Sequence, residues 1–229
     1  MEYPHNRPYT ADDLVRIITL LRDPVNGCPW DKVQTHTSIR MNFLEEAYEA
    51  VDALDLDDPV LMCEELGDVL MQVAFHTCME QEIGRFTWEQ VCDGVCQKLI
   101  ERHPNIFGTQ PGYEGITDWD ALKNKEKGRR TLADDLESVP RAMPALMRAA
   151  KLQKRAARHG AALQGADAAA LADAAENLQT AQPASTQAEQ AVGELLFAAA
   201  NLARQAGVDP EQALQKANEA FCTAAGPVA

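Results

Sequence analysis

Apolar residues recur at three- and four-residue steps along almost the whole of this 229-residue chain, a period that commits it to helices. Segments 11–23, 38–55, 59–82, 87–102, 117–128, 143–158, 166–180, 187–206 and 210–224 all carry it, and alternating strand patterns are nearly absent. Pro and Gly interrupt the pattern at NGCP, DDP, IGRF, HPNIFG, QPGYEG, SVP and AGVDP, where turns are expected. The expected fold class is all-α.

Two of these helices carry acids in an unusual place. Glu45-Glu46-x-x-Glu49 lies on segment 38–55, and Glu65-x-x-Asp68 opens into the apolar run VLMQVAF. Residues three and four apart are neighbours on a helix, so Glu45, Glu46 and Glu49 share a patch flanking an apolar stripe of Leu44, Ala47, Tyr48, Val51 and Leu54. On the next helix Glu65, Asp68 and Gln72 form a narrow polar stripe hemmed in by Met62, Val69 and Val73 on one side and Met71 and Phe75 on the other. A solvated face is wide and mixed in charge. A lone E-x-x-E is most simply such a face, but two motifs on consecutive helices point to a bound cation, because a carboxylate is costly to bury unless paired or metal-bound. An all-oxygen donor set suits Mg²⁺ or Mn²⁺. A di-metal carboxylate bundle is the competing reading, but such bundles usually supply Glu-x-x-His, and none occurs here. His76 reads as an ordinary helix residue near the polar stripe, and His5, His36 and His159 as surface or loop residues.

Charge and composition narrow the setting. Lys and Arg number 21 against 35 Asp and Glu, a net charge of −14, which repels nucleic-acid polymers and anionic membranes. No apolar stretch is long enough to span a bilayer, and the N-terminus MEYPHNRPYTADDL lacks the basic and apolar regions of a secretory signal. The six cysteines form no C-x-x-C pair and have no histidines at zinc spacing, so reduced thiols are expected. The expected compartment is cytoplasmic.

The chain aligns faintly with itself. Glu65-Leu66-Gly67-Asp68-Val69-Leu70 matches Ala191-Val192-Gly193-Glu194-Leu195-Leu196 at an offset of 126 (191 − 65), and Glu89-Gln90-Val91 matches Glu211-Gln212-Ala213 at 122 (211 − 89). Two related helical units are expected in tandem, with boundaries at 1–110, 111–142 for the connection, and 143–229. The second has lost the acids: Ala191 stands for Glu65 and Glu194 for Asp68, and AENLQTA at 175–181 offers only Glu176. Lys98 aligns with Ala220 and Arg102 with Ala224. A metal site is therefore expected in the first unit only, and the second is expected to serve packing or assembly.

Seven ordered blocks resemble the MazG family of nucleoside triphosphate pyrophosphohydrolases: LLRDPVNGCPWDKVQTH (20–36), FLEEAYEAVDAL (43–54), EELGDVLMQVAFH (64–76), EIGRFTWEQV (82–91), KLIERHPNIF (98–107), WDALK (119–123) and MPALMRAAKLQKR (143–155). The resemblance implies a four-helix-bundle-like module followed by a degenerate repeat, with a nucleotide-site helix in the connection. It also implies Mg²⁺-dependent hydrolysis of nucleoside triphosphates to monophosphate and pyrophosphate, in nucleotide-pool control. Carried over by motif, Glu46, Glu49, Glu65 and Asp68 are the expected metal ligands, and Glu45 orients or deprotonates the attacking water or holds a further metal. Lys98, Arg102, Trp119 and Lys123 match positions at the nucleotide, and Trp30, after the turn Asn26-Gly27-Cys28-Pro29, either stacks on a base or anchors packing. A homodimer is implied. Two alternatives stand beside the enzyme reading: a non-catalytic helical scaffold that keeps the acids as metal staples, and a narrow pyrophosphatase acting on deoxyuridine or deoxycytidine triphosphate or phosphoribosyl-ATP.

Overall fold

A computed structural model describes residues 2–5, 7–104, 106–108, 126–128 and 130–226. Among these there is no strand. The helices are α1 (Ala11–Leu21), α2 (Arg40–Asp55), α3 (Pro59–Glu82), α4 (Trp88–Arg102), α5 (Leu132–Glu137), α6 (Ala145–Arg158), α7 (Ala168–Thr180), α8 (Thr186–Gln205) and α9 (Pro210–Ala225), with a 3₁₀ turn at Asp31–Val33. They form two compact units, residues 1–116 and 117–229.

Helix starts follow from local chemistry. Thr10 caps α1 and Thr87 caps α4 through reciprocal boxes with Asp13 and Gln90, each satisfying donors that have no partner within the helix. Asp58 accepts from the amides of Val60 and Leu61 at 2.9 and 3.2 Å, and Pro59 takes the first position of α3, where its missing N–H costs nothing. In the turn after α1, a Cβ on Gly27 would meet the carbonyl oxygens of Leu21 and Asp23 at 2.4 Å, so only glycine lets the chain fold back this tightly.

The first unit is organised around α3. Its C-terminal half is buried nearly all round, and Ala74, Phe75, Cys78 and Met79 join Ile18, Ile39 and Trp88 in one core cluster. Beneath this core Arg22 is almost fully buried, making a bidentate bond to Glu82 and donating to the carbonyls of Asp31 and Gln34 at 2.8 and 3.2 Å. Its guanidinium lies 5.2 Å from the Phe75 ring centre. One side chain thus fixes the 31–34 turn to α1 and α3.

The N-terminal half of α3 packs against α2, and here the expected orientation of α2 is corrected. Tyr48, Val51 and Leu54 are about half exposed, whereas Ala50 and Ala53 are buried. Glu46, Ala50 and Ala53 follow steps of four and three residues, so Glu46 shares the face that meets α3. The large apolar side chains look outward instead, because two alanines allow a closer approach of the helices than Tyr or Leu would.

The second unit repeats the pairing order: α7 packs on α8, α6 on α8, and α9 on α6 and α8, as α2 packs on α3 and α1 and α4 on α3. Its hairpin is dry. At the offset of 126, Glu65 and Gln72 correspond to Ala191 and Ala198, both buried, while Glu194 is exposed and accepts from Gln190 at 2.8 Å. The short α5, which the periodicity does not announce, is held by Asp135. Its buried carboxylate pairs with Arg155, Arg158 and His159 at 3.1, 2.6 and 3.1 Å, so His159, exposed at the end of α6 as expected, also serves as a partner of a buried acid.

Candidate active site

The α2–α3 hairpin brings acids from both helices to one place. One carboxylate oxygen from each of Glu46, Glu49 and Glu65 lies within 4.8 Å of the others. Asp68, one turn on from Glu65, stands within electrostatic reach of Glu46 and Glu65. Burial pushes the Glu46 carboxyl above its ordinary range against an opposing hydrogen bond from Gln72, and Asp68, Glu49 and Glu45 add repulsion. Glu65 is raised by burial first, then by Asp68, Glu64 and Glu46. Without a cation the folded chain binds these protons more tightly than the unfolded one, so stability falls as pH rises through the carboxylate range. A divalent cation among the acids removes that penalty.

Gln72 completes the cluster. It donates Nε2 to Glu46 at 3.3 Å, and its Oε1 is buried with no hydrogen-bond partner among the described residues. A buried acceptor without a donor is costly, and a water held by a cation at these acids would supply one. The donor set, all oxygen and from two packed helices, fits Mg²⁺ or Mn²⁺. The sequence places Gln72 on the polar stripe but assigns it no role; its fixed spacing from Asp68 is the signal that was available.

The other expected residues are more dispersed. Glu45 is exposed, yet near enough to Glu46 to raise it. Trp30 is more than half exposed, with its carbonyl accepting from Gln34 at 2.9 Å. Lys98 is exposed on α4, and Arg102 is half-buried on the last turn of the same helix. Trp119 and Lys123 lie outside the described residues.

A second polar group adjoins the acids. His36 Nδ1 and His76 Nδ1 are 2.7 Å apart, His36 Nε2 and Glu80 Oε1 are 2.7 Å apart, and Arg85 reaches both Glu80 oxygens at 3.3 and 3.4 Å. His76 lies on α3 beside the polar stripe and His36 is exposed in the turn before α2, as the sequence suggests, but their pairing is not announced by it. They are 40 positions apart and meet only because the 31–34 turn is pinned under α3. Both line an open cavity of about 660 Å³ with Phe43, Val73, Phe86 and Val91.

No helix among the described residues is long and apolar enough to cross a membrane.

Comparison with known proteins places these residues in a family. Residues 34–107, which span the acid motifs and α4, match the family described as MazG nucleotide pyrophosphohydrolase domain. The chain is 41% identical over 219 residues to a nucleoside triphosphate pyrophosphohydrolase of Escherichia coli K12, covering 92% of this chain and 83% of that protein. It is 39% identical over 212 residues to the nucleoside triphosphate pyrophosphohydrolase/pyrophosphatase MazG of Thermotoga maritima, covering 92% and 82%. Identity of that depth across most of both relatives, with the acid-bearing hairpin inside the matched domain, makes the chain a member of the MazG family.

Proposed function

We propose that the first unit hydrolyses nucleoside triphosphates to nucleoside monophosphate and pyrophosphate, with Mg²⁺ or Mn²⁺ held by Glu46, Glu49, Glu65 and Asp68. The observation that carries this reading is the meeting of three carboxylates from two helices within 4.8 Å, beside a buried glutamine oxygen that lacks a donor among the described residues. The bound cation would neutralise phosphoryl oxygens as charge builds on the departing pyrophosphate. Glu45, exposed at the edge of the cluster, takes or steers the proton of the attacking water. Gln72 Oε1 orients a water hydrogen, and its Nε2 fixes Glu46. Lys98 and Arg102, four apart on α4, share a face and would meet the far phosphates, with Lys123 and Trp119 as further nucleotide contacts and Trp30 as a base-stacking candidate.

The second unit has no part in this chemistry, since alanines fill the positions of Glu65 and Gln72. A homodimer accounts for the outward apolar residues of the first unit: Tyr48, Val51 and Leu54 on α2, Leu66 and Leu70 on α3, and Val95 and Leu99 on α4 are all 40% or more exposed, an arrangement typical of a surface covered by a partner.

Product identification tests the reaction. Incubation with a panel of triphosphates and Mg²⁺ should yield monophosphate and pyrophosphate in equal amounts, with no turnover in excess chelator. Release of diphosphate and orthophosphate would place the cleaved bond elsewhere and contradict the proposal.

A further inference from the structure

The polar stripe of α3 does not stop at the metal-site acids. Glu65, Asp68, Gln72, His76 and Glu80 succeed one another at steps of three, four, four and four residues, so they line one face of the helix. On α2, Phe43 lies one turn before Glu46. The cavity lined by Phe43, His76 and Phe86 therefore begins about 5 Å, one helical turn, beyond the bond between Gln72 and Glu46.

Its chemistry is unlike that of a phosphate site. Val73, Val91 and the two phenylalanines make apolar walls. The Glu80 carboxylate is buried within it, and the cation nearby, Arg85, is already engaged with that carboxylate. An anion is repelled here, whereas a flat neutral ring is accommodated, and the volume of about 660 Å³ lies within the range of small-ligand sites.

The hydrogen bonds also set what the cavity reads. A carboxylate only accepts, so Glu80 Oε1 takes a hydrogen from His36 Nε2. In the neutral dyad His36 Nδ1 is then an acceptor, and His76 Nδ1–H donates to it. The rings are parallel to within 5°, with centres 5.0 Å apart. That is the separation of two coplanar imidazoles meeting edge to edge through a 2.7 Å bond, so the hydrogen lies in both ring planes. His76 Nε2 is left as a bare lone pair with no partner among the described residues. Burial, and next the neighbouring His36, hold the His76 imidazole below its usual pKa, which favours the neutral form. Phe43 packs its ring against His76, with centres 5.8 Å apart at 61°, and fixes the plane.

We infer that this cavity holds the nucleobase of the substrate, with His76 Nε2 accepting a hydrogen bond from a ring or exocyclic N–H of the base. The inference rests on the proposed hydrolysis of nucleoside triphosphates and adds the part of the substrate that the acids do not touch. Every common base carries such a donor, so the contact selects for a base as such and against one whose donor is methylated.

Steady-state pyrophosphate release at about pH 8, where a histidine is neutral, tests it, with the full-length protein acting on uridine triphosphate, N3-methyluridine triphosphate and ribose 5-triphosphate, which has no base. His76→Phe is expected to reduce kcat/KM for uridine triphosphate about tenfold, mainly through KM, since a donor buried without its acceptor is costly. It should leave ribose 5-triphosphate within twofold, and N3-methyluridine triphosphate should be equally poor for both proteins. His76→Gln, whose amide oxygen can stand where Nε2 stood, should restore at least half of the loss. Phe86→Ala, at a partly exposed position, should also raise KM for uridine triphosphate alone. Equal losses on ribose 5-triphosphate and uridine triphosphate in both His76→Phe and Phe86→Ala, or no loss on either substrate, would overturn the inference. If the unaltered protein releases no pyrophosphate, the function reading fails separately. The cavity is then judged by calorimetric titration with uridine monophosphate and ribose 5-phosphate: weakening by His76→Phe of the first alone supports it, and any other pattern overturns it.

Discussion

Glu49→Gln is expected to lower kcat/KM for triphosphate hydrolysis about a thousandfold, the equivalent of about 4 kcal/mol of transition-state stabilisation, while the fold survives. Glu49 is exposed on α2, so the amide fits without repacking. What changes is charge: one of three converging carboxylates becomes neutral and a poor ligand for a hard cation. The same change relieves Glu46, which Glu49 repels, so in chelator the variant should melt at or above the temperature of the unaltered protein. Far-UV circular dichroism melts and pyrophosphate assays on the same samples check both halves. A variant that is inactive because it is unfolded would show a lowered melt, and a fully active one would remove Glu49 from the metal site.

Arg22→Ala should cost the first unit about 3 kcal/mol, near the lower end of the penalty for removing one partner of a buried ion pair. Glu82 is 42% exposed at its side chain and can rehydrate, which keeps the figure from being larger. The carbonyls of Asp31 and Gln34 lose their donor, and Phe75 loses the cation over its ring. Because the 31–34 turn leads directly to His36, the loss should also loosen the His36–His76 dyad. Urea unfolding monitored by tryptophan fluorescence should show the reduced midpoint, with Trp88 in the affected core. Arg22→Lys keeps the charge but not the bidentate fork and should fall between the two. An Arg22→Ala midpoint equal to that of the unaltered protein would mean that the turn is held by its own backbone bonds.

The helices were legible in the sequence because their ends are written in it. The Asp58-Pro59 start gives α3 its first residue, and the Thr87 cap does the same for α4 within one residue. Leu132–Glu137 was not legible: six residues are too few to show a period, and the segment is held by a buried ion pair between Asp135 and Arg155, far apart in sequence. The acids were readable as a motif, but the face of α2 that carries them was not. Hydrophobicity assigned Tyr48, Val51 and Leu54 to the interior, whereas the helix contact is made by Ala50 and Ala53. Side-chain size alone does not tell which apolar face of a helix meets its neighbour. The His36–His76 pair was hidden for another reason. Its members are ordinary separately, and only the folding of the 31–34 turn under α3 makes them neighbours.

The proposed chemistry depends above all on a cation bridging the two helices of the first hairpin. Diffraction from crystals grown with Mn²⁺, recorded at the manganese absorption edge, tests this most directly. The expected result is an anomalous peak among Glu46, Glu49, Glu65 and Asp68, within about 2.0–2.3 Å of their oxygens, and none at the matching place in the second unit. A protein that turns over triphosphates in Mn²⁺ yet shows no peak between those carboxylates would contradict it.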